Sequence, residues 1–311
     1  MNSPHKPAIG QVYFVLILTT FFWGGSFLFT KIGLREIPPQ LFVLMRFSLA
    51  TLIMLLVSIP RLRQFNLRTV RRGATVGLTL GLTNISFVFG VQGTSISRAG
   101  ILNNLFVLFI PLLVKIVWGD RIGRTNLAGI VMASIGIWLL ATGGSEGFNR
   151  GDLISTFCAL MIACQIITVS KVLKEEDDVY LVSLVQFATV ALLAGCIVLL
   201  LPKPHVTLSR PAVLSVAYCA LFPTVFCFTL QNAYQRYVTA TRAGLIYTLD
   251  PVWSLIAGFL VLGERLDARE WLGCGIIFMA VVIPLGVRYL VERGLVQRYV
   301  GTAAGSPTGS D

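Results

Sequence analysis

Residues 240–273, ATRAGLIYTLDPVWSLIAGFLVLGERLDAREWLG, decide the fold of this 311-residue chain. They form an apolar run of membrane-spanning length with one aspartate, Asp250, directly before Pro251. An earlier stretch repeats this design. A shift of 144 positions, without a gap, places identical residues together: Arg98 on Arg242, Gly119 on Gly263, Arg121 on Arg265 and Gly129 on Gly273. Such an internal repeat indicates a fold built by duplication of one unit.

The composition of the chain is that of a membrane protein. Hydrophobic residues make up 55% of the sequence and charged residues 13%, and the mean hydropathy is +0.80. Soluble domains carry roughly 25% charged residues, so this much apolar surface cannot be hidden inside a water-soluble particle. The apolar runs are about 20 residues long, the length of a bilayer-crossing helix, and they lack the alternation of membrane β-strands. We therefore predict an all-α integral membrane protein.

The positions of the apolar runs predict ten transmembrane helices. They are 12–33, 39–59, 73–93, 98–118, 125–142, 152–172, 179–201, 210–235, 242–262 and 269–289. The polar stretch at 142–152 divides them into two halves of five. We expect a first repeat at 12–143, a second repeat at 151–289, and a C-terminal tail at 290–311 that is basic and then disordered.

The lysine and arginine residues predict the orientation in the membrane. If both termini are cytoplasmic, the inner loops and tails carry fifteen of them and the outer loops seven, while Lys31, Arg46 and Lys115 lie within spans. The positive-inside rule then favours cytoplasmic N- and C-termini. Because each half has an odd number of spans, the two halves enter the membrane from opposite faces. Inverted repeats of this kind are a common plan of secondary transporters, whose site lies between the halves near the midplane.

Five stretches together carry a resemblance to a known family. They are FFWGGSFLFTKIGL (21–34), MRFSLATLIML (45–55), the segment 98–120, LQNAYQRYVTATRAG (230–244), and the segment from Pro251 to LGERL (262–266). On these stretches the chain resembles the drug/metabolite transporter superfamily, specifically its ten-helix members with two EamA domains. The resemblance covers nearly everything from 12 to 286. It implies a carrier of the cytoplasmic (inner) membrane, often an exporter of amino acids or other small metabolites.

Asp250 is the most informative candidate site residue. It lies seven or eight residues into its predicted span, about 11 Å from the helix end. A carboxylate at that depth costs about 2.5 kcal/mol or more if it faces lipid, so a cavity or a partner is expected. Pro251 has no N–H and leaves the carbonyl of Tyr247 without its helical donor. Two interpretations stay open: a proton-coupling or cation-binding site, which the resemblance supports, or a structural pair with a basic residue such as Arg46.

Two adjacent asparagines occupy the matching place in the first half. Asn103 and Asn104 align with Tyr247 and Thr248 under the shift of 144 positions. Amides inside a membrane need partners, because unsatisfied polar groups are expensive there. The partners could be substrate and water in a cavity, or a neighbouring helix.

Three more residues are candidates for the same cavity. The amide of Asn84 in the third span also needs partners, either in a cavity or on a neighbouring helix. Gln165 is favoured for the cavity, because the resemblance puts the first and sixth spans beside the substrate path. Trp23 precedes two glycines that weaken the first span. Its indole could form a cavity wall with the N–H available, or fill a packing notch.

Two prolines are candidates for helix breaks and gating. Pro251 follows Asp250 in the second half, whereas the first half has Val107 there and places Pro111 one turn later. The two halves are therefore not expected to gate symmetrically. We predict substrate-binding residues Trp23, Asn84, Asn103, Asn104, Gln165, Tyr247 and Asp250, with Asp250 as the residue that takes the coupling ion.

The motifs that are missing favour a transporter over an enzyme. The chain has no GxxxxGK[ST] phosphate loop, so ATP hydrolysis is not expected. The six cysteines lie in apolar segments without a CxxC pair, so neither a metal site nor a cofactor is predicted. The net charge of +11 is explained by loop residues that set the orientation, without a nucleic-acid partner. The expected partners are a small-molecule substrate, the lipid bilayer and protons, and a homodimer is one open alternative for the assembly.

The predicted function is secondary transport, with export as the preferred direction, of small organic metabolites such as amino acids. The halves would rock by alternating access around Pro111 and Pro251. A passive facilitator is the nearest alternative, and a proton gradient that fails to drive accumulation would support it. A membrane-embedded enzyme acting on a lipid-linked substrate would need clustered carboxylates or histidines near an interface. The sequence offers one deep acid instead.

Overall fold

The computed structural model describes residues 7–94, 96–119, 123–141, 149–200, 206, 208–253, 256 and 268–292. Within these residues the secondary structure is helical, without a β-strand. The α-helices are α1 (Ile9–Gly33), α2 (Pro39–Ser58), α3 (Leu67–Gly93), α4 (Ile96–Asn103), α5 (Phe106–Trp118), α6 (Arg124–Ala141), α7 (Arg150–Val172), α8 (Val179–Leu200), α9 (Arg210–Cys219), α10 (Cys227–Tyr234), α11 (Ala240–Tyr247) and α12 (Ala268–Glu292). A π-helix, Ala220–Phe226, joins α9 to α10, and 3₁₀ turns cover Ile59–Gln64 and Gln235–Tyr237.

Seven helical segments of the described chain are long and apolar enough to cross a membrane. They are Ile9–Gly33, Pro39–Gln64, Leu67–Gly93, Ala99–Trp118, Arg150–Val172, Val179–Leu200 and Arg210–Tyr237. Two shorter apolar helices, Arg124–Leu139 and Trp271–Pro284, overlap the predicted fifth and tenth spans. The predicted ninth span, 242–262, extends beyond the described residues. The chain is therefore a multi-pass membrane protein.

Short polar side chains begin several of these helices. Asn149 accepts from the backbone N–H of Asp152, whose carboxylate accepts in return from the N–H of Asn149, which makes a capping box at the start of α7. Asn66 caps α3 and Ser209 caps α9 with a single bond each, in which the side chain accepts from the backbone N–H of Thr69 and of Ala212. Each cap satisfies backbone donors that a helix end leaves without an intrahelical partner.

The packing of the helices follows the two-half plan. Helix α3 packs on α7 of the other half, and α1 packs on α9 and α10; these are corresponding pairs when the halves are exchanged. Contacts of α2 with α8, α5 with α11 and α6 with α12 map onto themselves. Gly77 brings α3 close to α8, since a Cβ there would lie 2.7 Å from Thr189 Cβ. The GxxxG pattern at 77–81 is thus a helix-packing face.

Polar contacts at the ends of the helices identify two faces of the bundle. On one face, Arg72 pairs with Glu176 at 3.3 Å and with Asp177 at 2.5 Å. On the opposite face, Lys31 Nζ donates to the carbonyl of Thr94 at 3.0 Å and so closes the end of α3. Ser209 there donates to Glu36 from both its N–H and its hydroxyl. Arg72, which the charge distribution predicts to be on the inner side of the membrane, belongs to the first face.

Candidate substrate cavity

Both halves interrupt a membrane-embedded helix at corresponding residues. Helix α4 ends at Asn103 and α5 begins at Phe106, while α11 ends at Tyr247 and helical residues resume at Asp250. The interruptions are tightened turns. Leu105 N–H bonds to the carbonyl of Leu102, three residues back, at 3.1 Å, and its counterpart Leu249 bonds to Ile246 at 3.2 Å. This register shift makes backbone carbonyls available, as broken helices do in transporter sites.

The interruption changes the partner of specific carbonyls. Val107 N–H bonds to the carbonyl of Asn104 at 3.1 Å, so within the described chain Asn103 does not receive the bond that a regular α-helix would supply. In the second half, Pro251 has no N–H to give to Tyr247. The two freed carbonyls therefore belong to corresponding residues, although different chemistry frees them.

A cavity of about 100 Å³ lies beside these interruptions. That volume has room for several waters, because one water needs roughly 10–15 Å³ on this measure. The lining side chains come from spans of both halves. They are Trp23, Ser26, Phe27, Arg46, Leu80, Thr83, Asn84, Phe87, Asn103, Asn104, Phe106, Ile162, Gln165, Ile166, Phe228, Gln231, Tyr247 and Asp250.

The structure brings the seven residues that were predicted to bind substrate to this one cavity. They are Trp23, Asn84, Asn103, Asn104, Gln165, Tyr247 and Asp250. The two prolines predicted to gate lie outside the lining. Pro111 lies inside α5, beyond the interruption, and Pro251 is part of the helix that resumes after it. Side chains at 120, 121, 264 and 265, which marked the repeat, lie outside the described residues.

Asn103 and Asn104 bring amide oxygens to the cavity. Their exposed fractions are 3% and 1%. The Nδ2 of Asn104 donates to the carbonyl of Gly100 at 2.9 Å, which fixes the direction of its amide. The Oδ1 atoms of both residues accept no hydrogen bond from the described chain. A buried amide oxygen without a donor costs about 1–3 kcal/mol, so this pair suits a donor that enters from the cavity.

A chain of side-chain hydrogen bonds forms one wall. Gln165 Nε2 donates to Gln231 Oε1 at 3.0 Å, and Gln231 Nε2 donates to Gln235 Oε1 at 2.7 Å. The hydroxyl of Tyr247 donates to the same Oε1 of Gln235 at 3.0 Å. The sixth, eighth and ninth spans are joined in this way. Gln165 and Tyr247 are therefore held in defined orientations at the cavity edge.

The indole of Trp23 has its own partner. Its Nε1 donates to the carbonyl of Pro223 at 3.0 Å, so the N–H is used within the protein and the ring is what meets the cavity. Asn84 likewise directs its Nδ2 to the carbonyl of Leu80 at 3.0 Å, one turn back in α3. These bonds position the two side chains as walls of the cavity.

Arg46 is a cavity residue whose surroundings the sequence does not indicate. Its side chain comes from α2 and has an exposed fraction of 4%. Its Nε donates to Thr224 Oγ1 at 2.6 Å, in the π-helix of the eighth span. A deep arginine in a span is expected to face a carboxylate or a carbonyl, and a hydroxyl takes that place. The signal in the sequence is Pro223, which marks an irregular turn without revealing its neighbours.

Asp250 lies at the point where the ninth span resumes its helix. It is half-buried and lines the cavity together with Arg46 and Tyr247. The described ion pairs join residues at the helix ends and do not include Arg46. A carboxylate at this depth is expensive unless a cavity or a partner faces it, and Asp250 lies at the cavity.

Comparison with known proteins identifies the relatives of the chain. It is 27% identical over 268 residues to an uncharacterized transporter of Archaeoglobus fulgidus, covering 86% of this chain and 83% of that one. It is 25% identical over 287 residues to a probable amino-acid metabolite efflux pump of Salmonella typhimurium, covering 87% and 93%. A solved crystal structure superposes with a TM-score of 0.72 at 16% identity, over 89% of this chain and 98% of the other, which shows a shared fold.

A family model matches the chain twice, once in each half. The matched residues are 10–142 and 149–285, so nearly the whole membrane part is covered, and the two matches account for the repeat seen in the sequence. The drug/metabolite resemblance is thereby confirmed. The chain belongs to the EamA-like transporter family.

Proposed function

We propose that this transporter exports small organic metabolites such as amino acids across the cytoplasmic membrane by alternating access. The observation that carries the proposal is the cavity at the paired helix interruptions, with side chains from both halves. A site at the seam of two repeats is what secondary transporters use. The names of relatives such as the Salmonella typhimurium protein support metabolite efflux.

We further propose two inverted five-helix repeats and ten spans, which the contacts between the halves support, and cytoplasmic termini, which the lysine and arginine distribution favours. Helix pairs that correspond under exchange of the halves make corresponding contacts. Rocking of one half on the other would open the cavity to each side in turn. The interruptions at Asn104 and Thr248 supply local bending points next to the site, and Pro111 and Pro251 extend the weakened region along each helix.

Asp250 is the residue through which we propose proton coupling. A proton that crosses a potential of 100 mV releases about 2.3 kcal/mol, which corresponds to roughly fiftyfold accumulation. The titratable side chains of the cavity lining are Arg46, Tyr247 and Asp250. Of these, a carboxylate is the group that serves in the proton relays of membrane pumps and transporters, so Asp250 is the natural carrier of the coupling proton.

Reconstitution of the purified protein in liposomes tests the proposal. We expect an imposed pH gradient to drive uphill movement of an amino acid by the wild type. Asp250→Asn should abolish the uphill movement while leaving folding intact. Glu176→Gln is the matched control, because Glu176 lies at the membrane surface with a side chain that is 59% exposed. Downhill exchange that ignores the gradient would contradict proton coupling and favour a passive facilitator.

The identity of the cargo is tested separately. Metabolite profiles of cells that lack or overproduce the protein should differ in one or a few small polar metabolites. Accumulation inside the deletion strain supports export, whereas depletion there would contradict it. Unchanged profiles together with inactive liposomes would contradict metabolite transport by this chain.

A further inference from the structure

We propose that Arg46 binds the carboxylate of the cargo, so that the cavity selects zwitterionic amino acids with apolar side chains. The proposal rests on the metabolite transport proposed above and assigns the residue that recognises the cargo. Within the described chain, it follows from three features of Arg46: its burial at the cavity, its unused hydrogen-bond donors, and the way the π-helix fixes its position.

The first feature is a buried cation that lines the cavity. Arg46 is 4% exposed, and it lies about 10 Å along α2 from the helix start at Pro39. Its guanidinium carbon is 5.3 Å from the centroid of the neighbouring Phe47 ring. An arginine keeps its charge under ordinary conditions, and a buried charge is costly unless an opposite charge or several acceptors face it. The described ion pairs do not include Arg46.

The second feature is the number of donors that remain. A guanidinium carries five N–H donors in a planar fork. Nε of Arg46 uses one of them on Thr224 Oγ1, and the described chain supplies no acceptor to Nη1 or Nη2. Two parallel N–H groups at the end of the fork match the two oxygens of a carboxylate. Arg46 lines the cavity, so an anion that enters the cavity is the fitting partner.

The third feature is the support that holds Arg46 in place without cargo. Pro223 has no N–H, so the carbonyl of Cys219 lacks its usual α-helical donor. The hydroxyl of Thr224 donates to that carbonyl at 2.7 Å and accepts from Arg46 Nε at the same time. Thr224 is fully buried. The π-helix therefore holds the guanidinium through Nε, which leaves Nη1 and Nη2 for another acceptor.

The rest of the lining matches the remainder of an amino acid. Asp250 lies on the same cavity and supplies a negative charge for an ammonium group. Aromatic rings of Trp23, Phe27, Phe87 and Phe228 offer apolar walls for a side chain. If the cargo ammonium and the coupling proton compete for Asp250, binding of one favours release of the other. Such competition couples the outward movement of cargo to the inward movement of protons, as export requires.

The test compares L-phenylalanine with L-phenylalaninamide, which keeps the ring and the amine and replaces the carboxylate by a neutral amide. Binding of each compound is measured by thermal shift and by tryptophan fluorescence, and transport is measured in liposomes. We expect the wild type to prefer the acid by about tenfold or more, since charged hydrogen bonds contribute about that much. Arg46→Gln should bring the preference close to one while binding of the amide stays within about twofold of the wild type.

Two further variants guard against a folding defect. Arg46→Lys keeps the charge without the fork and should retain part of the preference. Thr224→Val removes the acceptor of Arg46 Nε. It should weaken binding of the acid more than binding of the amide. Arg61→Gln is the control, because Arg61 lies at the surface and pairs with Asp178. Its preference should equal that of the wild type.

The outcomes separate this inference from the function it rests on. Loss of acid and amide binding to the same extent in both the Arg46 and Thr224 variants would show a purely structural arginine and overturn the inference. Equal binding of both compounds by the wild type would overturn it as well, while leaving transport standing. A wild type that neither binds nor moves either compound contradicts the amino-acid cargo proposed above, and the inference with it.

Discussion

Asn104 and Thr248 interrupt corresponding helices of the two halves, 144 positions apart in the sequence. Neither residue is a proline or a glycine, the usual causes of a break. Thr248 directs its hydroxyl to the carbonyl of Leu245 at 2.7 Å, and Asn104 directs its Nδ2 to the carbonyl of Gly100 at 2.9 Å. Side chains that bond to the preceding turn in this way loosen the local helix. Each half therefore has a locally weakened helix at the corresponding position beside the cavity.

The first prediction concerns the donor that Pro251 removes. Pro251→Ala would supply an N–H to the carbonyl of Tyr247. The new hydrogen bond should stabilise the straight form of the helix by about 0.5–1.5 kcal/mol. If bending here accompanies each transport cycle, turnover should fall by about two- to tenfold, while cargo affinity changes less. Turnover is measured by the rate of exchange in liposomes at saturating cargo.

Pro211→Ala is the matched control for this change. Pro211 lies in the first turn of α9, where a backbone N–H has no intrahelical acceptor, so its replacement should leave turnover unchanged. Equal turnover of the wild type and Pro251→Ala would show that the missing donor plays no part in the cycle.

Much of the cavity can be predicted because the repeat fixes a register. The shift of 144 positions places Asn103 and Asn104 opposite Tyr247 and Thr248 from the order of residues alone. Depth in an apolar span then singles out Asp250, since a lipid-facing carboxylate is expensive. Composition and spacing are sufficient for these residues, because burial in a membrane leaves few alternatives to a cavity.

Contacts between halves cannot be predicted in the same way. The anchor of Arg46 is a hydroxyl in a π-helix of the other half, and Pro223 signals an irregular turn without telling its type. The N–H of Trp23 is expected to be available, yet the carbonyl of Pro223 takes it. Gln235 resembles an ordinary interfacial residue near the end of a span. Each of these contacts depends on which side chains the tertiary fold brings together. The local sequence pattern does not contain that information.

The second prediction concerns Gln235, which is fully buried and joins the amide wall. It accepts from Gln231 and Tyr247, and its Nε2 donates to the carbonyl of Ile166 at 2.6 Å and to Ser170 Oγ at 2.9 Å. Gln235→Ala leaves these groups without their partner. We expect a loss of about 1–3 kcal/mol in stability, measured by unfolding in detergent.

An exposed glutamine provides the comparison for this change. Gln92→Ala, in the last turn of α3, should leave stability unchanged within about 0.5 kcal/mol. If the two alanine variants unfold alike, the amide chain contributes no measurable stability and the orientation of Tyr247 needs another explanation.

The third prediction concerns the contact of α3 with α8. A Cβ at Gly77 would lie 2.7 Å from Thr189 Cβ and 2.8 Å from the backbone oxygen of Gln186. Because backbone cannot move aside as a flexible side chain can, Gly77→Ala should destabilise the bundle by about 1–3 kcal/mol. Gly275→Ala should be neutral or stabilising, since nothing lies within 4 Å of a Cβ there. A stable Gly77→Ala protein would show that the helices separate easily at this contact.

The last prediction concerns the link between the halves on the face that we expect to be external. Ser209 donates to Glu36 from its hydroxyl at 2.7 Å and from its N–H at 3.0 Å. These two bonds, the hydroxyl first, lower the pKa of Glu36 below its ordinary value. A depressed pKa means that the folded state binds the proton less readily than the unfolded state does. The stabilisation is therefore present above the unfolded pKa, about 4.3, and is lost as the pH falls through the folded value.

Glu36→Gln should accordingly unfold at a lower temperature than the wild type at pH 7, and the difference should shrink below about pH 4. Adding Ser209→Ala to Glu36→Gln should cost less than Ser209→Ala costs alone, because the shared interaction is already gone. A difference between the wild type and Glu36→Gln that stays constant from neutral to acidic pH would assign the effect to local packing. The carboxylate would then have no part in holding α1 of the first half to the start of α9 in the second.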